Sequence, residues 1–476
     1  MKNFNRKKLE KIDKKHLWHP FTQMQDWVNS TPLIIESADG VYLKDTAGKK
    51  YLDGVSSLWV NLHGHRKKEI DRAIQNQLSK IAHSTFLGLS NVPAIELAEK
   101  LVALAPANLQ RVFYSDNGST AVEVALKMAF QYWQLTGQPK KNKFLTFVNA
   151  YHGDTIGSVS LGGIDIFHKR FGPLLFSALN APSPYCYRCP WDNKDNALGD
   201  DGKKILRKKA SCQEECLRAL QQLFKQHHAE LAAVIIEPLV QAAAGILVMP
   251  KNFLRELRRL CSQYNVLLIA DEVAVGFGRT GTMFACEQEK VNPDFLCLAK
   301  GITGGYLPLA VTMTTEKIYS AFLGEFQEKK TFFHGHTYTA NPLGCAAGLA
   351  NLEIFRKEKV LTKLRGKISF FQKELEKFHQ LKHVGDIRQI GLIAGIELVK
   401  NKTTKESFPD EEKTGINICQ SCRQHGLILR PLGDVIVILP PLSITQTQLK
   451  KMLSIVYQEI HNYPYPQHRK INQLHL

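Results

Sequence analysis

The 476-residue sequence has no apolar run near the roughly 20 residues that span a bilayer. Its basic N-terminal stretch also lacks the apolar segment of roughly 7–15 residues that marks a secretion signal, so we expect a cytoplasmic protein. Internal repeats and low-complexity segments are missing as well. Ten cysteines are too few for this length to indicate a small disulfide-stabilised domain. These absences exclude membrane-spanning, fibrous and disulfide-stapled classes.

Acidic residues are in deficit, because 44 Asp and Glu face 62 Lys and Arg and give a formal net charge of +18. Such a balance permits attraction to nucleic acid, to an anionic membrane or to anionic small molecules. The basic residues are nevertheless spread along the chain, whereas a nucleic-acid-binding surface concentrates them and interleaves aromatic residues. We therefore expect no nucleic-acid or membrane partner and keep a nucleic-acid-binding protein only as a remote alternative.

The order of apolar segments is typical of an α/β protein. Short apolar strands alternate with helical segments from about residue 66, which predicts a large domain with a mostly parallel sheet. The pattern changes near residue 345 to long charged helices followed by two strand-like segments. We therefore divide the chain into an N-terminal segment (1–65), a large domain (66–344) with a polar insertion at about 184–209, and a C-terminal small domain (345–476).

Four cysteines near the insertion are spaced in two pairs, Cys186-x-x-Cys189 and Cys212-x-x-x-Cys216. Paired thiolates at such spacing can hold a structural zinc ion. The second pair has three intervening residues and falls in a predicted helix, and the segment between the pairs is polar and loop-like. We therefore expect reduced thiols and no metal, with a zinc site as the alternative.

Two charged residues follow neighbouring apolar strands. Asp271 ends the segment VLLIAD, so its carboxylate is predicted at the carboxyl edge of a parallel sheet, where α/β proteins bind ligands. A protonated pyridine nitrogen would suit such a buried carboxylate, although Asp271 could simply cap the next element. Lys300 follows the strand DFLCLA and precedes a glycine-rich turn. Desolvation there would lower its pKa and let it act as an amine nucleophile that forms a Schiff base, although most lysines are merely exposed.

Two further features indicate a flat, phosphorylated ligand. Gly118 and Ser119 lie where a strand turns into a helix, and the N–H groups at a helix start can hold a phosphate. Asn117 or Ser119 could equally be an ordinary N-cap. Tyr151 could stack on a cofactor ring or belong to the core. A phosphate site, a stacking ring, a carboxylate and a Schiff-base lysine together match pyridoxal 5′-phosphate.

Several motifs carry a specific resemblance. Residues 267–281 with Lys300 downstream resemble the signature of the class III, or omega-type, aminotransferases of pyridoxal-phosphate fold type I. The supporting segments are residues 19–24 (HPFTQM), 53–59 (DGVSSLW), 63–65 (HGH), 115–119 (SDNGS), 151–154 (YHGD), 333–337 (FHGHT), 341–343 (NPL) and 429–433 (LRPLG). The matching segments extend from near residue 18 to about residue 442, which is nearly the whole chain.

The resemblance implies a fold and an activity. Family members have a large domain with a mostly parallel sheet and a smaller α+β domain formed by the N- and C-terminal segments. They are homodimers that share their active sites between subunits. Within the family, the similarity is to members that transfer an amino group to 8-amino-7-oxononanoate in biotin biosynthesis, which yields 7,8-diaminononanoate by a ping-pong mechanism. Another class III transaminase acting on an omega-amino acid is the alternative.

The resemblance also implies residue roles. Lys300 would bind the cofactor covalently and move the proton, while Asp271 would hold the proton of the pyridinium nitrogen. Gly118 and Ser119 would bind the phosphate, with Thr337 reaching it from the neighbouring subunit. The other implied residues form the walls around cofactor and substrate: Phe21, Leu58, Trp59, Tyr151, Gly335, His336 and Arg430.

Three of these residues bear on the substrates. Arg430 resembles the arginine that grips the carboxylate of the keto acid, although by itself it could be a solvated arginine beside a turn. Phe21 stands where adenosylmethionine-dependent relatives have tyrosine, and Leu58 stands where they have a second tryptophan. Some relatives that use lysine resemble this chain at position 21. S-adenosyl-L-methionine and L-lysine are therefore both candidate amino donors.

Overall fold

The computed structural model describes residues 5–191 and 212–465, apart from the side chains of residues 212–214. The helices, in chain order, are α1 (Arg6–His16), α2 (Met24–Asn29), α3 (Ser56–Trp59), α4 (Lys68–Leu78), α5 (Val92–Leu104), α6 (Gly118–Leu135), α7 (Ile156–Ser160), α8 (Asp165–His168), α9 (Cys212–His227), α10 (Phe253–Gln263), α11 (Glu316–Ser320), α12 (Pro342–Lys357), α13 (Val360–Glu376), α14 (Thr414–Cys422) and α15 (Gln446–Asn462). The strands are β1 (Ile35–Asp39), β2 (Tyr42–Asp45), β3 (Lys50–Asp53), β4 (Leu109–Ser115), β5 (Lys143–Phe147), β6 (Leu179–Ala181), β7 (Leu231–Ile236), β8 (Val240–Gln241), β9 (Leu247–Val248), β10 (Leu267–Asp271), β11 (Phe295–Leu298), β12 (Ala310–Thr315), β13 (Val384–Ile390), β14 (Ile393–Leu398), β15 (Leu427–Ile428), β16 (Arg430–Leu432) and β17 (Val435–Ile438).

A seven-stranded sheet forms the centre of the molecule, in the order β4–β12–β11–β10–β7–β5–β6. Every residue of β7, β10 and β11 is buried, which explains why these strands are continuous apolar runs without polar alternation. β6, β5, β7, β10 and β11 run parallel to one another. The predicted α/β chain with a mostly parallel sheet is thus confirmed.

β12 is antiparallel to both of its neighbours, β11 and β4. A parallel connection needs a crossover of a dozen or more residues, usually with a helix. The chain between β11 and β12 is instead a short loop that begins with a single 3₁₀ turn. This loop lies at the carboxyl edge of the sheet, where β11 ends and β12 begins. It carries Lys300.

Two smaller sheets combine distant parts of the chain. β1, β2 and β3 form a sheet with β15, and β3 pairs in parallel with β15 so that Leu52 lies opposite Leu427. The other sheet has the order β13–β14–β17–β16. The N-terminal segment is therefore bonded directly to the C-terminal one. The proposed boundary at residue 344 falls inside α12, which packs on α4 and α5, and the three-part division stays a prediction.

The polar insertion lies mostly outside the described residues. Cys186 is half-buried, and Cys189 and Cys216 are buried. The side chain of Cys212 is not described, so the alternative of a zinc site stays untested. Within residues 5–191 and 212–465, no helix is both long and apolar enough to cross a membrane.

Candidate active site

A cavity of about 710 Å³ opens at the carboxyl edge of the central sheet. Its walls contain residues that follow the ends of β4, β5, β7, β10 and β11, so the sheet topology brings them together. Six of the residues singled out in the sequence line it, namely Trp59, Gly118, Ser119, Tyr151, Asp271 and Lys300. These six residues come from positions that are up to 241 residues apart along the chain, from Trp59 to Lys300.

Asp271 is a buried carboxylate held by two donors. Its Oδ2 accepts a hydrogen bond from Nδ1 of His152 at 2.7 Å, and its Oδ1 accepts one from the backbone N–H of Val273 at 3.1 Å. The proton of His152 must lie on Nδ1, because a carboxylate oxygen can only accept. Nε2 of His152 is buried and has no hydrogen-bond partner among the described residues. The plane of the Asp271 carboxylate is therefore fixed, and a cationic N–H in the cavity would find an oriented acceptor.

Lys300 is the first residue of the 3₁₀ turn Lys300–Thr303 and has a positive φ of 45°. β10 and β11 are adjacent, with Asp271 opposite Cys297, so Lys300 lies three residues beyond that pair. Its Nζ is 5.2 Å from the centroid of the Trp59 ring. Burial lowers the pKa of the Lys300 ammonium, although the negative charges of Asp271 and Glu237 oppose this effect. A larger fraction of neutral amine is therefore available as a nucleophile or base.

α6 begins at Gly118 on the wall of the cavity. Asn117 is the N-cap, since its side chain accepts a hydrogen bond from the Thr120 N–H at 3.1 Å. A Cβ atom at Gly118 would lie 2.5 Å from Cγ1 of Val273, so a side chain there would need Val273 to move. The hydroxyl of Ser119 accepts a bond from the Asp154 N–H at 3.1 Å and can still donate its own proton. The helix start thus offers N–H and O–H donors to an anion.

Tyr151 is connected to two carboxylates that the sequence analysis missed. Its hydroxyl donates to Oδ2 of Asp154 at 2.8 Å, and its backbone N–H donates to Oε1 of Glu237 at 3.2 Å. Oε2 of Glu237 accepts a bond from the Ala242 N–H at 2.9 Å. Burial raises the pKa of Glu237 to about 7. The carboxyl group of Glu237 therefore connects the backbone at Tyr151 to the backbone at Ala242.

A local signal existed for each missed residue. His152 and Asp154 belong to the YHGD segment that was already singled out for Tyr151. Glu237 follows the buried strand β7 just as Asp271 ends β10. The pairing of His152 with Asp271, by contrast, has no sequence signal, because 119 residues separate the two positions.

Phe21, Leu58 and Arg430 lie at the rim, outside the cavity lining. Phe21 and Leu58 are 54% and 46% exposed. The guanidinium carbon of Arg430 is 5.7 Å from the centroid of the Phe21 ring. Phe21 also contacts Phe167 edge to face at 5.4 Å, and Phe167 in turn contacts Tyr151 at 6.1 Å between ring centroids. These aromatic contacts connect Arg430 to Tyr151 in the cavity wall. The binding of a substrate carboxylate by Arg430 stays a prediction.

The glycine- and histidine-rich loop (residues 333–337) contacts the cavity wall through His336. Nδ1 of His336 lies 2.6 Å from Oδ2 of Asp116, a residue of the cavity wall. Gly335 and Thr337 are exposed and do not line the cavity of their own chain. Their assigned roles concern a neighbouring subunit, so those roles stay predictions.

The residues present fit pyridoxal 5′-phosphate. The oriented carboxylate of Asp271 suits a protonated ring nitrogen, and the desolvated amine of Lys300 suits an aldehyde. The N–H groups at the start of α6 and the hydroxyl of Ser119 suit a phosphate. Tyr151 supplies an aromatic wall between these groups.

The aminotransferase class-III family matches residues 23–460 of the chain. An adenosylmethionine-8-amino-7-oxononanoate aminotransferase of Geobacter sulfurreducens is 50% identical over 461 residues, which cover 97% of this chain and 99% of the relative. A protein of the same name from Anoxybacillus flavithermus is 53% identical over 447 residues, which cover 94% of this chain and 95% of the relative.

Solved structures of related proteins have the same fold as this chain. The crystal structure of adenosylmethionine-8-amino-7-oxononanoate aminotransferase from Methanocaldococcus jannaschii is 46% identical, covers 96% of this chain and 99% of that one, and has a TM-score of 0.89. An (S)-enantioselective omega-transaminase from Thermomicrobium roseum is 32% identical with a TM-score of 0.88 and covers 97% of this chain and 99% of that one. The similarity therefore includes both the sequence and the complete arrangement of elements.

Proposed function

The chain belongs to the class-III aminotransferases, which are pyridoxal-phosphate-dependent enzymes, and from that premise we propose that it acts on 8-amino-7-oxononanoate. It transfers an amino group to the ketone and yields 7,8-diaminononanoate, a reaction of biotin biosynthesis. Relatives of about 50% identity over nearly the whole chain carry the corresponding name, which supports this substrate. An omega-transaminase of comparable TM-score is only 32% identical, so the omega-amino acid alternative has weaker support.

The observation that carries the proposal is the presence of Lys300 and Asp271 in one cavity. When bound, pyridoxal phosphate supplies a ring that withdraws electrons from a substrate carbon. Asp271, oriented by His152, keeps the proton on the ring nitrogen. The Nζ of Lys300 binds the cofactor and carries the proton to and from the substrate carbon. The donors of Gly118 and Ser119 hold the phosphate.

The remaining side chains bind and orient the substrates. Trp59 and Tyr151 form apolar walls that exclude water from the reacting atoms. Arg430 at the rim binds the carboxylate of the keto acid through a bidentate pair of N–H groups. The ketone at the other part of the long substrate would then enter the cavity that contains Lys300.

We propose S-adenosyl-L-methionine as the amino donor, in line with the names of the relatives. L-lysine is the second candidate, and Phe21 and Leu58 favour it. These two residues lack the hydroxyl and the indole that adenosylmethionine-dependent relatives have there. Both lie exposed at the rim, where a bulky sulfonium donor would have to enter.

We further propose a cytoplasmic homodimer in which Gly335, His336 and Thr337 of one subunit complete the site of the other. The same loop exposes two large apolar side chains, Phe333 at 79% and Tyr338 at 61%. Two large exposed apolar side chains in one short loop support an interface there.

Absorbance of the purified yellow enzyme tests both the activity and the donor. The enzyme is mixed with adenosylmethionine or with L-lysine in the absence of keto acid, and the cofactor band is followed. We expect adenosylmethionine to bleach it and 8-amino-7-oxononanoate to restore it. Bleaching by lysine alone would assign L-lysine as the donor and would connect that choice to Phe21 and Leu58. No recovery with 8-amino-7-oxononanoate, but recovery with other keto compounds, would contradict the proposed substrate.

Lys300→Ala is the matched control for this assay. It should remove the yellow band and lower turnover by at least about a thousandfold, since both the covalent link and the proton carrier are lost. Near-normal turnover in this variant would refute the assignment of Lys300.

A further inference from the structure

α3 (Ser56–Trp59) is a single turn in which all four residues have positive φ. The φ values of Ser56, Ser57, Leu58 and Trp59 are 49°, 52°, 90° and 69°. Non-glycine residues rarely adopt this region even singly, because Cβ approaches a carbonyl oxygen. Four in a row require surrounding contacts that hold the backbone in place.

The strained turn carries Trp59, which lines the cavity, and its neighbour Leu58, which lies outside the lining. Trp59 is the residue whose ring faces Nζ of Lys300 at 5.2 Å, and Leu58 lies half-exposed at the rim beside it. If the turn relaxed to right-handed backbone, both side chains would point elsewhere. The location of this strain at the substrate wall suggests that the conformation serves the reaction.

Asp53 holds the middle of the turn, while the hydroxyl of Ser56 at its start donates to the carbonyl oxygen of Leu439 at 2.7 Å. Asp53 is 1% exposed at the end of β3, and its Oδ1 accepts a hydrogen bond from the Ser57 N–H at 2.9 Å. Its Oδ2 accepts bonds from the Ser57 hydroxyl at 2.7 Å and from Nε2 of His65 at 3.1 Å. Burial by itself favours the protonated acid, but the bonds from His65 and Ser57 outweigh it and hold the pKa of Asp53 below its usual range.

Asp53 is itself anchored on both sides. β3 lies between β2 and β15 in a sheet, and Nδ1 of His65 lies 3.1 Å from Nδ2 of Asn61, whose Oδ1 accepts a bond from the Gly64 N–H at 2.7 Å. The carboxylate thus connects a rigid sheet edge to the middle of the left-handed turn.

We propose that Asp53 is a positioning residue that fixes Trp59 and Leu58 through the left-handed turn and so sets the affinity for the amino substrates. This inference rests on the proposed function, because it assumes that the cavity binds them. Asp53 does not line the cavity, so we assign it no contact with the substrates.

The test replaces Asp53 and then relieves the strain. Asp53→Ala removes the acceptor of three hydrogen bonds, two from Ser57 and one from His65. We expect the KM for the amino donor to rise about tenfold, because the substrate wall is no longer held in place, and the yellow cofactor band to remain. Adding Ser57→Gly should recover most of this loss, because glycine adopts positive φ without cost. In a Trp59→Ala background, Asp53→Ala should change KM less than about twofold, since the two positions act in series. If Asp53→Ala does not fold, Asp53→Asn keeps an acceptor for the Ser57 N–H and should give a smaller rise in KM.

Asp45→Ala is the matched control. Asp45 is also buried, and its carboxylate also clamps a turn, by accepting bonds from the N–H groups of Ala47 and Lys49 at 2.9 Å. It lies outside the cavity lining, so it should lower the melting temperature without changing KM. The proposal would be overturned if Asp53→Ala, like Asp45→Ala, lowered the melting temperature without changing KM, and if Ser57→Gly did not rescue it.

A readout without turnover separates this inference from the proposed function. The protein is labelled with 5-fluorotryptophan and its ¹⁹F NMR spectrum is recorded. The resonance of Trp59 is identified as the one that is missing from the spectrum of the Trp59→Phe variant. Asp53→Ala should shift or broaden that resonance, and Ser57→Gly should restore it. One outcome is that the wild type fails to transfer amino groups while the Trp59 resonance still shifts in Asp53→Ala and recovers with Ser57→Gly. The proposed function would then fail, and the role of Asp53 in the turn would stand. An unmoved resonance in Asp53→Ala overturns the inference whatever the enzyme catalyses.

Discussion

Nδ1 of His152 donates a hydrogen bond to Oδ2 of Asp271 across 2.7 Å, and the side chains are 0% and 5% exposed. A hydrogen bond between two buried polar groups is strong and directional, because no water competes for either partner. His152 therefore sets the orientation of the carboxylate that would meet the cofactor's ring nitrogen. It does so from the segment that also carries Tyr151.

Replacing His152 should weaken cofactor binding. We expect His152→Phe to raise the Kd for pyridoxal phosphate about 10- to 100-fold, because the buried carboxylate loses a charge-assisted bond. Titration of the apoenzyme, followed by absorbance, measures this Kd. His227→Phe is the control, since His227 pairs with Glu230 and neither residue lines the cavity. Equal Kd values in the two variants would show that His152 does not orient Asp271.

The close contact between Gly118 and Val273 makes a second prediction. A Cβ at position 118 would lie 2.5 Å from Cγ1 of Val273, so Gly118→Ala should push Val273 and the neighbouring Asp271 out of place. We expect the cofactor Kd to rise about tenfold or more. The double variant Gly118→Ala/Val273→Ala removes the obstructing methyl groups and should recover most of the affinity. Absence of recovery would mean that the alanine blocks the phosphate directly.

The stability of the folded protein should depend on pH through His63, which supports the turn that carries Lys300. Nε2 of His63 lies 2.8 Å from Oδ1 of Asn351, and Nδ2 of Asn351 donates to the carbonyl oxygens of Gly301 and Ile302, each at 3.0 Å. The amide oxygen can only accept, so Nε2 of His63 is the donor. Burial lowers the pKa of His63 to about 4, from an ordinary value of 6.5. The folded protein thus keeps His63 neutral in a pH range where the unfolded chain protonates it.

Acidification should therefore cost stability through His63. Between pH 6.5 and 4 the unfolded state binds the extra proton, so this contribution is complete above pH 6.5 and is lost as the pH falls towards 4. The loss amounts to about 3 kcal/mol. His63→Gln keeps a donor for Asn351 but cannot titrate. Denaturant unfolding at a series of pH values should show the gap between wild type and His63→Gln shifting by that amount, and a constant gap would contradict the assignment.

Arg430 should act on the keto acid alone. Arg430→Lys keeps the positive charge but loses the bidentate geometry, so we expect the KM for 8-amino-7-oxononanoate to rise about tenfold with a smaller change in kcat. Arg72→Lys, on the exposed face of α4, is the control. Bleaching by the amino donor should stay as fast as in wild type. A KM that moves only for the donor would place the arginine at the other substrate.

Much of the site could be predicted from local patterns. Asp271 and Lys300 each follow a continuous apolar run, and such runs become buried strands of a parallel sheet whose carboxyl ends share one edge. Gly118 could be placed at a helix start because the residues around it carry a capping pattern. These features depend on interactions between near neighbours, which the order of residues determines.

Other relationships arise only when the chain is folded. Asp271 meets His152, β3 pairs with β15, and Arg430 approaches Phe21 because separate elements pack together, and no local pattern records which distant side chains become neighbours. The left-handed turn of α3 contradicts the intrinsic preference of its residues and persists because Asp53 and the surrounding sheet hold it. The sequence by itself determined the strands, the helix starts and the chemical character of the cavity. The tertiary structure decided the pairings and the strained backbone, since both depend on contacts between segments far apart in the chain.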